Sequence, residues 1–388
     1  MADKKFIIDI GSASKKYALF SGGEEVFHAH FEKENGGFEV AFNRGAAEPI
    51  TEPDFGNATG FAIQKIIGMG LVADKNEISK IGIRIVAAGS YFVSNRVIDA
   101  DYIAKLNEAK ENSPIHLAPM IAEIENIAGV LPGIPVVGVS DSGFHATLPD
   151  YAKNYSLPAE DASKHDIYRF GYHGLSFQSV LRKIGKSSGS LPPRVVVCHL
   201  GSGVSVAAIK DGKSIDTSMG FTPLEGLIMS TRIGNIDAGA VIHLAKESGM
   251  DLEALEGYFN GKCGLLGLSG KSDDIRQLIE LEKSGDARAK LALNSFTYNV
   301  KKYIGAYAAA LGGLDLLVFT ATVGERSFIM RSRICSGLEG LGIVLDQNKN
   351  NATVSVDGVI SSDDSKVKIT VVSTNEMTEI AEQMESVD

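Results

Sequence analysis

Short apolar runs, each closed by small or polar residues, punctuate the chain: FIIDI (Phe6 to Ile10), KIGIRIVAAGS (Lys80 to Ser90), PVVGVS (Pro135 to Ser140), VVVCHL (Val195 to Leu200), LDLLVFT (Leu314 to Thr320) and VKITVVS (Val367 to Ser373). Their shortness and β-branched content predict buried strands. Between them the period changes to that of helices. Met120, Ile121, Ile124 and Ile127 share one helical face, and Ile103 with Leu106 mark the inward stripe of a helix over Asp99 to Asn112 that Pro114 ends. Further helices are predicted around Asp237 to Glu247, from an N-cap Ser272 with acids in its first turn, over Asp286 to Leu311 closed by Gly312 and Gly313, and in TNEMTEIAEQM. LDLLVFTATVGERSFIMRSRI reads as a strand, a small-residue turn at Gly324 and a helix. Strands that alternate with helices predict an α/β fold.

One design occurs twice. FIIDI, Gly-Ser and KKYALF are matched by VVVCHL, Gly-Ser and VSVAAI, each a strand, tight turn and strand followed by a polar turn. Gly11, Gly201 and Gly203 allow close approach of the backbone to an anion, and Ser12, Ser14 and Ser202 supply hydroxyl donors to phosphate oxygens. Asp9 stands where a hydrated Mg²⁺ could be held. One copy alone is better read as an ordinary hairpin. Two copies predict two like domains, each with a phosphate cradle.

Length fits this division, since 388 residues suit about two or three domains. With 44% apolar and 22% charged residues the chain has the material for buried cores. The polar, turn-rich segment from Asp150 to Phe170 marks the boundary, giving domains over 1–149 and 150–373 with a C-terminal segment, 374–388. A net charge of −10 argues against a nucleic-acid partner, so an anionic substrate needs locally concentrated Arg and Lys. No leader-like or membrane-length apolar stretch is read, and a cytoplasmic protein is expected. The three cysteines, Cys198, Cys263 and Cys335, suggest neither disulfides nor a zinc site. Asp141, Thr320 and Ser373 fall at strand ends, where ligands bind in open α/β sheets.

Five stretches carry a family likeness: RFGYHGLS (Arg169 to Ser176), DTSMGFTPLEGLIMSTRIGNID (Asp216 to Asp237), GLLGLSGKSDDIR (Gly264 to Arg276), FTATVGERS (Phe319 to Ser327) and TNEMTEIA (Thr374 to Ala381). On these the chain resembles the acetate kinase family, within the sugar kinase, heat-shock 70 and actin superfamily. The resemblance covers nearly the whole sequence. It implies a two-domain actin-like ATPase (ribonuclease H-like) fold with duplicated mixed-sheet domains around a central cleft. It also implies reversible, Mg²⁺-dependent transfer of the ATP γ-phosphoryl group to acetate or propionate, and a homodimer.

Residue by residue, the resemblance makes Arg84 and Arg232 the phosphate- and carboxylate-binding arginines, His116 and His173 the histidines around the transferring group, and Asp141 the aspartate that orients the arginines. Asp9 and Glu376 fall at metal-associated positions, and Lys16 beside the first cradle. Asp274, Ile275, Arg276, Ala321, Thr322, Val323 and Gly324 match the nucleoside side; Val86, Ile115, Tyr172 and Pro223 match a small apolar acyl pocket. His28, His30, His165 and His243 match nothing.

Several positions depart from the family pattern. Asp9 and Ser202 replace asparagines, Ala87-Ala88-Gly89 stands for His-Gly-Gly, Phe177 replaces a His, and Tyr172 stands where Phe is usual, so its buried hydroxyl needs a partner. Thr322 occupies a position in the adenosine turn that is usually Gly, where a side chain could crowd the nucleoside. That leaves open a pyrophosphate- or phosphate-dependent enzyme. A catalytically impaired nucleotide-binding switch on the same fold is the other alternative.

Overall fold

The structure is a computed structural model that describes residues 3–11, 14–34, 37–110 and 114–387, without the side chains of 34 and 114–116. The chain forms two compact units, Met1–Gly143 with Asn375–Asp388, and Phe144–Thr374.

In the first unit the apolar runs form β1 (Lys4–Ile10), β2 (Ser14–Ser21), β3 (Glu24–Glu34), β4 (Gly37–Phe42), β5 (Ala47–Ile50), β6 (Ile78–Ile85), β7 (Arg96–Val97) and β8 (Val136–Ser140). The sheet order is β5-β4-β3-β2-β1-β6-β8-β7, antiparallel from β1 outward through β5 and parallel across β1, β6 and β8. Strand alternation sends Phe6, Ile8, Tyr17, Leu19, Phe27, Phe31, Ile81 and Ile83 into one core. The opposite face therefore carries Asp9, Lys16 and Arg84. Helix Pro114–Val130 buries Met120, Ile121, Ile124 and Ile127 in that core, as the periodicity predicts. In helix Ala100–Lys110, however, Tyr102 and Leu106 are buried while Ile103 is exposed, because the inward stripe runs one residue earlier than the apolar reading placed it.

Helix Glu376–Gln383 covers the other face of this sheet. It packs closely because β6 has Gly82 beneath it: a Cβ there would meet Met384 Sδ at 2.9 Å and Ile380 Cγ2 at 3.0 Å. Lys80 Nζ adds hydrogen bonds to the carbonyls of Met384, at 3.3 Å, and Val387.

The second unit repeats the scheme with β9 (Arg194–Leu200), β10 (Val204–Lys210), β11 (Lys213–Thr217), β12 (Leu316–Thr320), β13 (Gly358–Val359) and β14 (Lys368–Val371), ordered β11-β10-β9-β12-β14-β13. Its β11-β10-β9-β12-β14 core follows β3-β2-β1-β6-β8 strand for strand, with the same antiparallel and parallel pairings. The duplication read in the two Gly-Ser turns is thus a duplication of whole sheets.

Helix Ala287–Leu311 is capped by Asp286 and ends at a left-handed Gly312. Helix Ile275–Lys283 is capped by Asp274, whose side chain accepts from Arg276 N, so the predicted cap at Ser272 lies too early: Ser272 instead donates to Gln277. The segment around Gly324 is itself helical, Ala321–Arg326, before helix Phe328–Cys335.

Candidate functional site

In the first unit, β1 and β6 run side by side and deliver charge to one end of the sheet. Arg84 Nη1 is 3.1 Å from Asp9 Oδ1, and Arg84 Nη2 is 2.9 Å from Asp141 Oδ2. Lys16, paired in register with Asp9, brings Nζ to 3.6 Å from Asp9 Oδ2. Asp141 is buried, held by its N–H to the Ile85 carbonyl at 3.0 Å. Burial by itself would strip Arg84 of its proton, yet Asp141 and Asp9 hold its affinity well above the usual arginine value. Burial would likewise raise the Asp9 carboxyl, but Arg84 and Lys16 outweigh it and keep it low. Glu376 answers oppositely: burial, aided by Asp9 and Asp141, pushes its carboxyl up against the pull of Arg84 and Lys16. Two carboxylates therefore lie within electrostatic reach of each other on a cationic floor. Val86 is half-buried just beyond β6. Ser12 and the side chains of Ile115 and His116 lie outside the described residues.

The second unit gathers a different set around its Gly-Ser turn. A Cβ on Gly203 would meet His173 Nε2 at 3.2 Å and Arg232 Nη1 at 3.5 Å, and one on Gly201 would meet the Gly203 carbonyl at 3.2 Å and His199 Nε2 at 3.5 Å. Neither glycine has a positive φ, and nor has Gly11. The glycines of both turns thus serve close approach instead of an unusual backbone. His173 does carry the strain, as the left-handed N-cap (φ 60°) of helix Gly174–Ser188. Its Nδ1 lies 2.8 Å from Ser205 Oγ on β10. Arg232 Nη1 donates to the Pro223 carbonyl at 3.3 Å, and Ser230 N to the Ser202 carbonyl at 3.2 Å, joining the signature loop to the turn.

Two histidines that sequence reasoning missed belong to this unit. His199, at the end of β9, stacks on His173, and its Nδ1 is 2.8 Å from Ser176 Oγ. Its signal was its place in VVVCHL, directly before the Gly-Ser turn. His145 is buried, donates from Nε2 to the Tyr172 carbonyl at 3.1 Å and pairs through Nδ1 with Ser214 Oγ at 2.8 Å. Tyr172 is pinned at its other end too, since its hydroxyl donates to the Phe221 carbonyl at 2.6 Å. This is the partner its buried hydroxyl required.

On the nucleoside-matched side, Ile275 is buried while Arg276 reaches the surface and forms a bidentate pair with Asp274, including Nε at 3.0 Å from Oδ2. Ala321, not Thr322, holds the left-handed backbone (φ 63°), and Thr322 is exposed in the first turn of its helix. Val323 is half-buried and Gly324 buried against Phe319. Among the described residues no group of three or more acidic, histidine or cysteine side chains forms a ready metal cage, and no helix is long and apolar enough to cross a membrane.

Two sheets of one design, with cations at the strand ends of each, have the α/β architecture of the actin-like ATPase fold, and the family match makes the chain a phosphotransferase. The chain belongs to the acetokinase family, whose sequence model matches residues 4–382. It is 40% identical over 389 residues to the acetate kinase of Heliobacterium modesticaldum, covering 97% of both chains. To that of Bacteroides thetaiotaomicron it is 38% identical over 384 residues, covering 96% of both. Among solved structures it is similar to a propionate kinase from Francisella tularensis (31% identity, TM-score 0.90, 100% of both chains) and to the acetate kinase of Porphyromonas gingivalis (35%, 0.86, 99% of both).

Proposed function

We propose that this protein is an ATP-dependent acetate kinase that reversibly transfers the γ-phosphoryl group of ATP to the carboxylate of acetate or propionate. A carboxylate oxygen bonds to the γ-phosphorus as the bond to the bridging oxygen breaks, giving acyl phosphate and ADP. The acceptor is already an anion at neutral pH, so no proton need be removed from it. Catalysis then rests on positioning and on cations and hydrogen bonds that meet the equatorial oxygens. The observation that carries this reading is the packing of His173 and Arg232 against Gly203, an arrangement that any side chain on the turn would disturb.

In this reading Arg84, held between Asp9 and Asp141, supplies a fixed guanidinium in the first unit; His173, with Arg232, supplies donors in the second. His116 is assigned to the same chemistry. Lys16 with Ser12, Ser14, Gly201, Ser202 and Gly203 takes phosphate oxygens, and Asp274 to Arg276 with Ala321 to Gly324 takes the nucleoside. Val86, Ile115, Tyr172 and Pro223 contact the acyl group, where an added methylene changes affinity by about 1–3 kcal/mol. Tyr172 would meet the acyl group with its ring, its hydroxyl being engaged by the Phe221 carbonyl.

The donor set fits Mg²⁺. Asp9 and Glu376 would hold it as hard oxygen donors whose mutual repulsion a dication would relieve, and Mg²⁺ typically uses one or two carboxylates with water and substrate phosphates. When bound, it neutralises charge on the phosphate oxygens.

Assembly as a homodimer through the second unit is supported by helix Ala238–Ser248, which buries none of its residues, and by exposed Ile236, Ile242 and Leu252 around it. A dimer is expected by light scattering, and Ile242→Glu is expected to give monomers. A cytoplasmic setting agrees with the free, buried state of Cys198, Cys263 and Cys335.

The test of function is hydroxylamine trapping of acyl phosphate with ATP, GTP and pyrophosphate in parallel. ATP is expected to support acetyl phosphate formation; product from pyrophosphate with none from ATP reverses the donor assignment, and no product from any donor removes the enzyme reading.

A further inference from the structure

Glu325 lies near the end of the short helix Ala321–Arg326, and its carboxylate folds back to the start of that helix. Oε1 accepts from Ala321 N at 3.0 Å and from Thr374 N at 3.3 Å. The two donors belong to different motifs. Ala321 opens the nucleoside-matched turn, and Thr374 is the last residue of the second unit, directly before Asn375 and Glu376 of the helix on the first unit's sheet.

The surroundings keep this carboxylate in place. Arg331, fully buried, holds the other end of the same short helix, donating from Nη1 to the carbonyls of Gly324 at 2.8 Å and Glu325 at 3.0 Å. Its Nε and Nη2 reach Asn350 Oδ1 at 2.8 Å and the Asn350 carbonyl at 2.9 Å. A planar guanidinium spread over several acceptors fixes orientation as well as distance. The chain leading into Thr374 is strapped as well: Ser373 N donates to Asp357 Oδ1 at 2.7 Å, and Lys183 Nζ to Ser373 Oγ at 2.7 Å. With both flanks anchored, the shared oxygen of Glu325 leaves the turn and the segment before Glu376 little freedom to shift independently.

We propose that Glu325 is a positioning residue that ties the nucleoside-side turn to the chain segment leading into Glu376, so that one oxygen keeps both the turn and that segment ordered. This rests on the acetate kinase reading and deepens it. Acceptor geometry is what the role requires, and a negative charge is not.

The experiment compares Glu325→Ala, Glu325→Gln and Glu325→Asp in the full chain, reading the KM for ATP, the Mg²⁺ concentration for half-maximal rate, and deuterium exchange over 372–378 by mass spectrometry. Glu325→Ala is expected to raise the KM and the Mg²⁺ requirement together, each about fivefold or more, and to speed exchange at 372–378. Glu325→Gln, whose amide oxygen accepts the same two N–H groups, is expected to restore all three to within about twofold. A rise in KM alone, with Mg²⁺ dependence and exchange unmoved, reduces Glu325 to a local helix cap and overturns the proposal. So does a Gln variant as impaired as Ala at wild-type thermal stability, which would place the charge itself in the chemistry. Should the Ala variant fail to fold, Glu325→Asp, one methylene shorter, must show the same paired shift at about twofold, and its absence overturns the idea. Exchange is read without turnover, so a wild-type protein inactive with ATP refutes the enzyme reading while the exchange comparison still decides the tie.

Discussion

His173 and His199 stack with ring centroids 4.0 Å apart and 23° between their planes, and each ring is held through Nδ1 by a buried serine hydroxyl, Ser205 and Ser176 respectively. The arrangement fixes which edge of each imidazole remains for the Gly-Ser turn, because one nitrogen is committed in both rings. His199 is thereby the brace against which the strained His173 rests. His199→Ala is expected to lower kcat by about tenfold or more, and Ser205→Ala by about three- to tenfold with less change in KM. Steady-state kinetics on folded variants checks this; a His199→Ala enzyme with wild-type kcat removes His199 from the site.

The arginines differ in how they are held, and the difference predicts how they tolerate change. Arg84 neutralises two buried carboxylates, so Arg84→Ala loses the cation and leaves Asp9 and Asp141 without their shared partner. Arg232 is braced by the Pro223 carbonyl. Both alanine variants are expected to lose at least about a hundredfold in turnover, equivalent to ~2.7 kcal/mol of barrier. Only Arg84→Ala is expected to lower the unfolding midpoint markedly as well. Lysine is expected to rescue either position weakly, since it lacks the planar fork. Near wild-type turnover in either alanine variant refutes the assignment.

How much of this was written in the sequence depends on the range of the interaction. The two Gly-Ser turns and the apolar runs around them are local, so the duplicated sheets could be read from residues a few positions apart. Arg84 was legible as a charge that demands a partner because it interrupts an apolar strand, whereas the tie of Asp141 to it came from the family resemblance. His145 was not, because its meaning lies in the Tyr172 carbonyl and Ser214, which the fold brings to it from distant segments. His199 was hidden by its own environment: inside VVVCHL it reads as one more residue of a buried strand. Ile103 and Ser272 failed for a simpler reason, a shift in phase or cap that propensity does not resolve. Thr322 drew attention as a lost glycine, while the backbone that favours glycine is one residue earlier, at Ala321.

Acid should destabilise the first unit through His28. Burial, together with the nearby His30, Lys16 and Arg44, lowers its pKa from the ordinary 6.5 to about 4. Between those values the unfolded chain takes up a proton that the folded unit resists, so stability is full above pH 6.5 and falls as pH drops towards 4. The half-buried ring is partly screened, and a contribution of about 1 kcal/mol is expected. His28→Gln should flatten the fall in urea midpoint between pH 7 and pH 4.5. An unchanged slope would assign the acid sensitivity elsewhere.

The nucleoside turn offers the last test, because strain and exposure there fall on neighbouring residues. Ala321 holds φ 63°, a conformation that costs a Cβ-bearing residue about 1–2 kcal/mol, whereas exposed Thr322 sits in ordinary helical backbone. Ala321→Gly is therefore expected to stabilise the protein by about 0.5–1 kcal/mol, part of the relief being offset by the greater freedom of glycine in the unfolded chain. Thr322→Gly is expected to cost a few tenths of a kcal/mol by placing glycine inside a helix, roughly the propensity difference. Neither change touches a phosphate contact, so the KM for ATP should stay within about twofold in Thr322→Gly. Arg276→Ala, which removes an exposed side chain paired to Asp274, should leave stability nearly unchanged yet raise the KM for ATP about three- to tenfold. Thermal melts and ATP titrations of the three variants separate these effects. If Thr322→Gly creates ATP activity that the wild type lacks, the side chain closes the nucleoside pocket, and pyrophosphate becomes the donor to examine.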